Sequence, residues 1–195
     1  MIRRRLQSLR SNRDGVALVE FAMIAPVLLM MLFGIFDFSY NMYANSMLNG
    51  AVQKAARDST LQGASDATID LIVQDAVLDV VPNAHMTASR KAYANFTGVR
   101  QPEEFTDVNG DLACNDGEPF EDANQNGIWD PDQGEAGLGG ARDAVLYEVT
   151  IFYPRAFPIA PFIGISPYQQ TTVTAVLRNQ PYGEAVDRAA TKYCA

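Results

Sequence analysis

Residues 16–36 read VALVEFAMIAPVLLMMLFGIF, and Glu20 is the only charge among these 21 residues. As an α-helix, at 1.5 Å per residue, the run spans about 31 Å, close to the hydrocarbon thickness of a bilayer. Before it, residues 1–15 hold Arg3, Arg4, Arg5, Arg10 and Arg13 against Asp14, a net +4. The whole chain of 195 residues carries −8, so the remaining 180 carry −12. A basic head, an apolar span and an acidic body predict one transmembrane helix, with the N-terminus in the cytoplasm and everything from Asp37 onward outside. A buried core helix would not need this charge asymmetry. A cleaved secretory signal would have a shorter apolar core and a small-x-small site after it. Pro26 removes one backbone donor and predicts a kink or local opening, and Gly34 is a second weak point.

Beyond the run, the period stays helical. Tyr40, Tyr43, Ala44, Met47, Leu48, Ala51, Val52, Ala55 and Ala56 fall on one face, with Asn41, Asn45, Asn49, Gln53 and Lys54 on the other. Gly63 is the expected end and Ser65 the cap of a second helix, whose apolar face is Ile69, Ile72, Val73, Ala76, Val77 and Val80 and which Pro82 stops. Residues 85–89 and 91–97 read as short strands. Val145, Tyr147, Val149, Ile151 and Tyr153 alternate as one buried face, and residues 171–177 are rich in β-branched side chains. A proline-rich turn between these last two strands offers Phe157 and Phe162 for packing, and residues 184–193 read as a final helical turn or two. The expected fold is α+β, a long N-terminal transmembrane and amphipathic helix packed on a small antiparallel β-sheet. The segments are a basic leader (1–15), the span (16–36), its amphipathic continuation (37–62), an extracytoplasmic domain (63–106 and 141–195) and an acidic insertion (107–140).

The insertion, DVNGDLACNDGEPFEDANQNGIWDPDQGEAGLGG, is crowded with Asp, Asn and Gly. Calcium is a hard cation that takes several oxygens from a short loop, at positions 1, 3, 5, 9 and 12 with a backbone carbonyl at 7. From Asp107 these positions hold Asp107, Asn109, Asp111, Asn115 and Glu118, with the Ala113 carbonyl. From Asp122, fifteen residues on, they hold Asp122, Asn124, Asn126, Asp130 and Gln133, with the Ile128 carbonyl. Leu112 occupies the position where the first loop calls for Gly, which strains the turn, whereas Gly127 meets that need in the second. Gln133 replaces the acid of the second loop, and Asp132, Glu135 and Glu121 are candidates to fill the gap. Without flanking helices the loops look like helix-free DxNxNG calcium loops of extracellular modules, with expected affinities of roughly 10⁻⁴–10⁻³ M. A solvated acidic loop without an ion is the alternative.

Other chemistry is sparse. Hydrophobic residues at 48% and charged residues at 19% exclude wholesale disorder. A pI near 4.6 argues against nucleic acid as a partner. Cys114 and Cys194 could form one disulfide outside the cytoplasm, remain free or bridge to another chain. One histidine, His85, excludes any site needing two imidazoles. Asn95-Phe96-Thr97 is a short glycosylation match, and Trp129 is expected to pack its loop or bind a partner. No GxSxG, HExxH, GxxxxGK[ST] or GxGxxG pattern occurs, so neither an enzyme nor a small-molecule substrate is expected.

Gly15, Val19, Glu20, Phe21, Ala22, Pro26, Gly34, Asp37, Ala55, Ala56 and Arg57 stand in a pattern that resembles the TadE-like minor pilins, or pseudopilins, of tight-adherence (Flp) type IV pilus systems. YEVTIFYPRAFPIAPFIGI and TAVLRNQPYG resemble that family's C-terminal part. The resemblance covers roughly residues 10–62 and 145–183, and residues 107–140 lie outside the family pattern. It implies cleavage by a prepilin peptidase between Gly15 and Val16, and partnership with other pilins and pilus assembly proteins. Glu20 then becomes the fifth residue of the mature chain and pairs with the new amine of Val16, in its own or a neighbouring subunit. The alternative for Glu20 is snorkelling at the cytoplasmic interface. The implied location is the inner membrane, with incorporation into a surface pilus. The rival reading is an uncleaved bitopic anchor for a calcium-binding or surface-interaction module.

Overall fold

The computed structural model describes residues 15–59, 65–157, 160–179 and 190–195. The leader residues 1–14, Gly63 and residues 184–189 lie outside them. In chain order the elements are α1 (Val16–Ser59), α2 (Asp66–Leu78), β1 (His85–Tyr93), a 3₁₀ turn (Phe96–Gly98), β2 (Pro119–Asp122), β3 (Glu135–Ala136), β4 (Ala144–Pro154), α3 (Ala160–Ile163), β5 (Tyr168–Arg178) and β6 (Ala190–Tyr193). The described residues fall into two compact units, one within the bounds Met1–Met42 and Arg155–Pro167, the other within Tyr43–Pro154 and Tyr168–Ala195.

The first unit is built on the apolar part of α1. The helix continues through Pro26. The missing proline N–H is one bond among many in a 44-residue helix. No residue of its most apolar 18-residue window is buried. That rules out a core helix, since covering each large apolar side chain is worth about 1.5–3 kcal/mol. Among the described residues, this is the single helix long and apolar enough to cross a membrane.

The Arg155–Pro167 segment is held to the end of the apolar run. Phe157 stacks on Phe33 and Phe36, with ring centroids 6.1 and 5.9 Å apart. Arg155 Nη1 donates to Asp37 Oδ2 at 2.5 Å, and Asn41 Nδ2 donates to the same oxygen at 3.2 Å. Both partners of the ion pair are largely buried. Arg155 also closes its own segment, Nε onto the Ser166 carbonyl and N–H onto the Pro167 carbonyl, each at 2.9 Å. Phe162, expected to pack, is 74% exposed.

The second unit is a four-stranded antiparallel sheet in the order β3-β1-β4-β5, with helices and a two-stranded β2-β6 ribbon. β4 is central: Val149 faces Ala88 of β1 and Val173 of β5. Val145, Tyr147, Val149, Ile151 and Tyr153 are all buried, as the period-2 pattern predicts for a strand with one covered face. The continuation of α1 buries Ala44, Leu48, Val52, Ala55 and Ala56. Tyr43 and Met47, assigned by periodicity to that face, stay exposed, because they lie one residue, or about 100°, off a narrow stripe.

α2 buries Ile69, Val73 and Val77, while Ile72 is exposed. Ser65 occupies the cap position, yet its side chain makes no capping bond. Asp70 ties α2 to the sheet. It accepts from both terminal nitrogens of Arg90, at 2.5 and 3.1 Å, and from the Tyr147 hydroxyl at 2.8 Å. The Arg90 guanidinium lies 4.2 Å from the centre of the Tyr147 ring. Burial opposes ionisation of Asp70, but the bonds from Arg90 and Tyr147 outweigh it and hold the carboxyl below its ordinary range.

Two readings change. Residues 85–97 are not two strands: β1 runs unbroken from His85 to Tyr93, because β4 pairs with it along its whole length, Arg90↔Tyr147 included. Ala190–Tyr193 is a strand rather than helix, since Phe120↔Lys192 pairing gives its backbone a partner. The 107–140 segment contributes β2 and the edge strand β3, where Lys91 faces Ala136.

Candidate functional site

Two loops dominate the polar part of the second unit. In the first, Asp107 accepts from Gly110 N at 2.6 Å and Leu112 N at 3.0 Å. Asn109 Oδ1 accepts from Asp111 N at 2.9 Å, and Asp111 Oδ1 from Ala113 N at 2.8 Å. In the second, Asp122 accepts from Asn126 N at 3.1 Å and Gly127 N at 2.9 Å. Asn124 Oδ1 accepts from Asn126 N at 3.1 Å, and Asn126 Oδ1 from Ile128 N at 2.7 Å. Three of these four bonds recur at the same positions, from N–H of position 6 to side chain 1, 5 to 3 and 7 to 5; the fourth comes from position 4 in the first loop and position 5 in the second.

Positive φ recurs at positions 4 and 6 of each loop: Gly110 (82°) and Leu112 (64°), then Gln125 (61°) and Gly127 (80°). Leu112 carries the strain that its place in the loop predicts, since an L side chain in this region is disfavoured.

The glutamates complete the repeat. Glu118 ends the first loop. It accepts from Val108 N at 2.7 Å and Asn109 N at 3.3 Å through Oε1, and from Asn115 N at 3.4 Å through Oε2. In the second loop the same three positions are served by Glu103: Ala123 N at 2.8 Å and Asn124 N at 3.4 Å through Oε1, Asp130 N at 3.0 Å through Oε2. Glu103 lies outside the 107–140 segment and was not a candidate from sequence. The signal that could have found it is a repeat of fifteen residues, Glu-x-Phe-x-Asp-x-Asn, at Glu103 and again at Glu118.

Antiparallel pairing explains the exchange. Phe105 bridges Phe120, with Thr106 N donating to the Pro119 carbonyl at 2.9 Å and Glu121 N to the Glu104 carbonyl at 2.8 Å. This register sets Glu103 opposite Asp122 and Glu118 opposite Asp107, so each loop receives the glutamate that precedes the other. Trp129 braces the pair, donating Nε1–H to the Glu103 carbonyl at 2.8 Å and meeting Phe105 edge-on at 5.8 Å. Cys114 and Cys194 are joined by a disulfide, with Cα atoms 5.5 Å apart.

Of the carboxylates considered for the second loop, Asp132 accepts from Lys91 Nζ at 2.6 Å and from Gly134 N at 3.2 Å. Glu121 lies on β2 and Glu135 on β3. Gln133 is held by backbone to Gln101.

Glu103, Glu118 and Asp122 are each at most 3% exposed. Among the described residues, no Lys or Arg forms an ion pair with them. Burial and the nearby Asp122 charge push the Glu103 carboxyl up, against three backbone N–H bonds that pull it down. Amides fill the interior of each loop. Asn109 Nδ2 reaches Asp111 Oδ2 and Asn115 Oδ1, each at 3.1 Å, and Asn115 Nδ2 reaches Asp111 Oδ2 at 2.8 Å. Asn124 and Asn126 both donate to Asp130 Oδ2, at 2.8 and 2.5 Å. Among the described residues, no group of three or more His, Cys, Asp or Glu side chains is arranged to hold a metal ion by itself. Oxygen donors in each loop come from amides as well as carboxylates.

The remaining candidates are apart from the loops. Val16 is the first residue of α1, and Val19 N donates to the Gly15 carbonyl at 3.1 Å. Glu20 is exposed on the first turns of α1. Asn95 caps the 3₁₀ turn, its side chain accepting from Gly98 N. His85 is an exposed residue at the start of β1.

Residues 15–57 match the family described as TadE-like protein. The TadE-like match starts at Gly15 and ends two residues before α1 does, so it contains Glu20, Pro26, Gly34 and Asp37 and stops short of both loops. No curated protein and no solved structure matches the chain.

Proposed function

We propose that this chain is a minor pilin, or pseudopilin, of a Flp-type tight-adherence pilus, made as an inner-membrane protein with its leader in the cytoplasm and its domain outside. The observation that carries the reading is the TadE-like match over a helix that begins at Val16 and leaves its apolar side chains uncovered. Prepilin peptidase cuts between Gly15 and Val16. The apolar helix then packs among other pilin helices, where an unpaired Glu20 is costly. The new Val16 amine neutralises it during assembly. The Cys114–Cys194 bond supports an extracytoplasmic domain, because disulfides persist in oxidising compartments. The domain's part is structural: it serves assembly or adhesion and catalyses nothing. The test is the mature N-terminus, read by mass spectrometry in cells with and without the peptidase. A start at Val16 only when the peptidase is present supports the reading. An intact leader in both strains favours the rival, a permanent bitopic anchor outside any filament.

A second part of the proposal is that the paired loops bind calcium and thereby stiffen the domain. Its support is the repeated arrangement around Asp107, Asn109, Asp111, Asn115 and Glu118, and around Asp122, Asn124, Asn126, Asp130 and Glu103, with three buried carboxylates facing no cationic side chain among the described residues. Buried charge of one sign is expensive, and a divalent cation offsets it. Asn109, Asn115, Asn124 and Asn126 would turn oxygen toward the ion, and Asp132 is left to Lys91. Calcium titration of the full chain in detergent, followed by Trp129 fluorescence and melting temperature, tests it. No response at millimolar calcium leaves the loops as amide-filled turns.

A further inference from the structure

We propose that the described residues of the segment Arg155–Pro167, 155–157 and 160–167, form a second membrane contact, an apolar surface seated in the headgroup and acyl boundary beside the outer end of α1. The inference rests on α1 spanning the membrane. Three observations carry it. The first is level: Phe157 stacks on Phe33 and Phe36, the last turn of the apolar run, and Arg155 pairs with Asp37, the first residue after it. A segment fixed to that turn stands where the hydrocarbon ends. The second is composition: residues 156–167 contain no charged side chain. The third is exposure. Phe162 at 74%, Ile163 at 49% and Ile165 at 41% present apolar surface outward. The local turn is closed by Ile165 N donating to the Ala160 carbonyl at 3.3 Å and by Gly164 at φ 69°.

Lipid is the occupant this geometry favours. The segment is pinned at Phe157 against Phe36, which is itself 53% exposed on α1, so its apolar side chains stand beside a helix face that meets lipid. The one charge of the segment, Arg155, is neutralised by Asp37, so approach to the boundary leaves no lone ion to desolvate. Aromatic side chains such as Phe162 are suited to that zone, as they are in interfacial segments.

The test uses the full chain with one tryptophan, in a Trp129→Phe background, reconstituted into phosphatidylcholine vesicles with brominated acyl chains. Phe162→Trp and Ile163→Trp report on the loop and Leu28→Trp on the helix. Folding of each is checked by its melting temperature. The expected result is loss of loop emission comparable to that of Leu28→Trp, unchanged as the protein is diluted in lipid. Quenching of Leu28→Trp with none at either loop position overturns the inference and leaves the spanning helix intact. Absence of quenching at all three positions overturns both. Loop tryptophans shielded from bromolipid and from aqueous iodide, in a manner that depends on protein density, would mean that a second chain covers them, and would also overturn it.

Discussion

Glu103 and Glu118 stand fifteen residues apart, and each closes the loop that follows the other. The exchange follows from the Phe105↔Phe120 bridge, which turns the two approach segments antiparallel. It makes the loops one structural unit, so damage at either glutamate reaches both. Replacing Glu103 or Glu118 with Gln removes a buried charge and retains one oxygen for the two Oε1 bonds, but sets an amide NH2 against the N–H that Oε2 accepts. We expect each variant to lose most of the calcium-induced rise in melting temperature. A parent that shows no calcium response, or a Glu103→Gln variant that keeps the full response, contradicts this.

The pH dependence has a defined sign. Burial raises the folded pKa of Glu103 above its unfolded value, so the folded state holds that proton more tightly. The resulting stability is present below the unfolded pKa, about 4.3, and is lost as pH rises through the folded value. Asp70 runs the opposite way. Its pKa is depressed, so its contribution is present above the ordinary Asp value and lost as pH falls through the folded one. Calcium-free protein brought down from neutral pH should therefore first gain melting temperature and then lose it at stronger acid. Glu103→Gln should flatten the gain and keep the loss. With saturating calcium the gain should vanish, since protons then compete with the ion. Thermal melts across pH with chelator and with calcium check all three statements.

Leu112 offers a test of strain alone. It sits at φ 64° and is 86% exposed, so replacing it forfeits almost no buried surface. Gly127, at the equivalent place in the second loop, adopts φ 80° with open space where a Cβ would lie. A left-handed L residue costs roughly 1–2 kcal/mol, against about 0.5–1 kcal/mol of chain entropy for glycine. Leu112→Gly should stabilise by about 0.5–1 kcal/mol, and Gly127→Leu should destabilise by about the same amount. Urea unfolding of both variants decides it, and equal signs would show that the two loops are not equivalent.

Much of the fold could be read from the chain because its signals are local. The apolar run declares itself by length, and β4 by strict alternation at Val145, Tyr147, Val149, Ile151 and Tyr153. What was hidden depends on distant partners. Residues 85–93 join into one strand because β4, a distant segment, pairs with every one of them. Residues 190–193 have no pattern of their own and become a strand because β2 is there to pair with them. Glu103 was missed for the same reason: the position 12 rule looks downstream within one loop, whereas the missing acid arrives from upstream, across an antiparallel bridge. Asp37 and Arg155 are 118 residues apart in sequence and carry no joint signal at all.

That ion pair gives the last prediction. Both side chains are mostly buried, 5% exposed for Asp37 and 16% for Arg155. Removing one partner from such a pair typically costs about 3–5 kcal/mol, because the other charge is stranded. The partner lost matters. Arg155→Ala leaves the Asp37 carboxylate with the Asn41 amide alone among its described bonds, and also removes the bond from Nε to Ser166. Asp37→Asn leaves Arg155 its contact to the Ser166 carbonyl and should be the milder change. Both should loosen the Arg155–Pro167 segment, which chymotrypsin can report by cleavage after Phe162, whose following residue is Ile163, in the full-length protein in detergent. We expect faster cleavage in the order parent, Asp37→Asn, Arg155→Ala. The pair Asp37→Leu with Arg155→Met, which strands no charge, should recover most of the protection. Equal cleavage of all four proteins would mean that Phe157 stacking on Phe33 and Phe36 holds the segment without help from the ion pair.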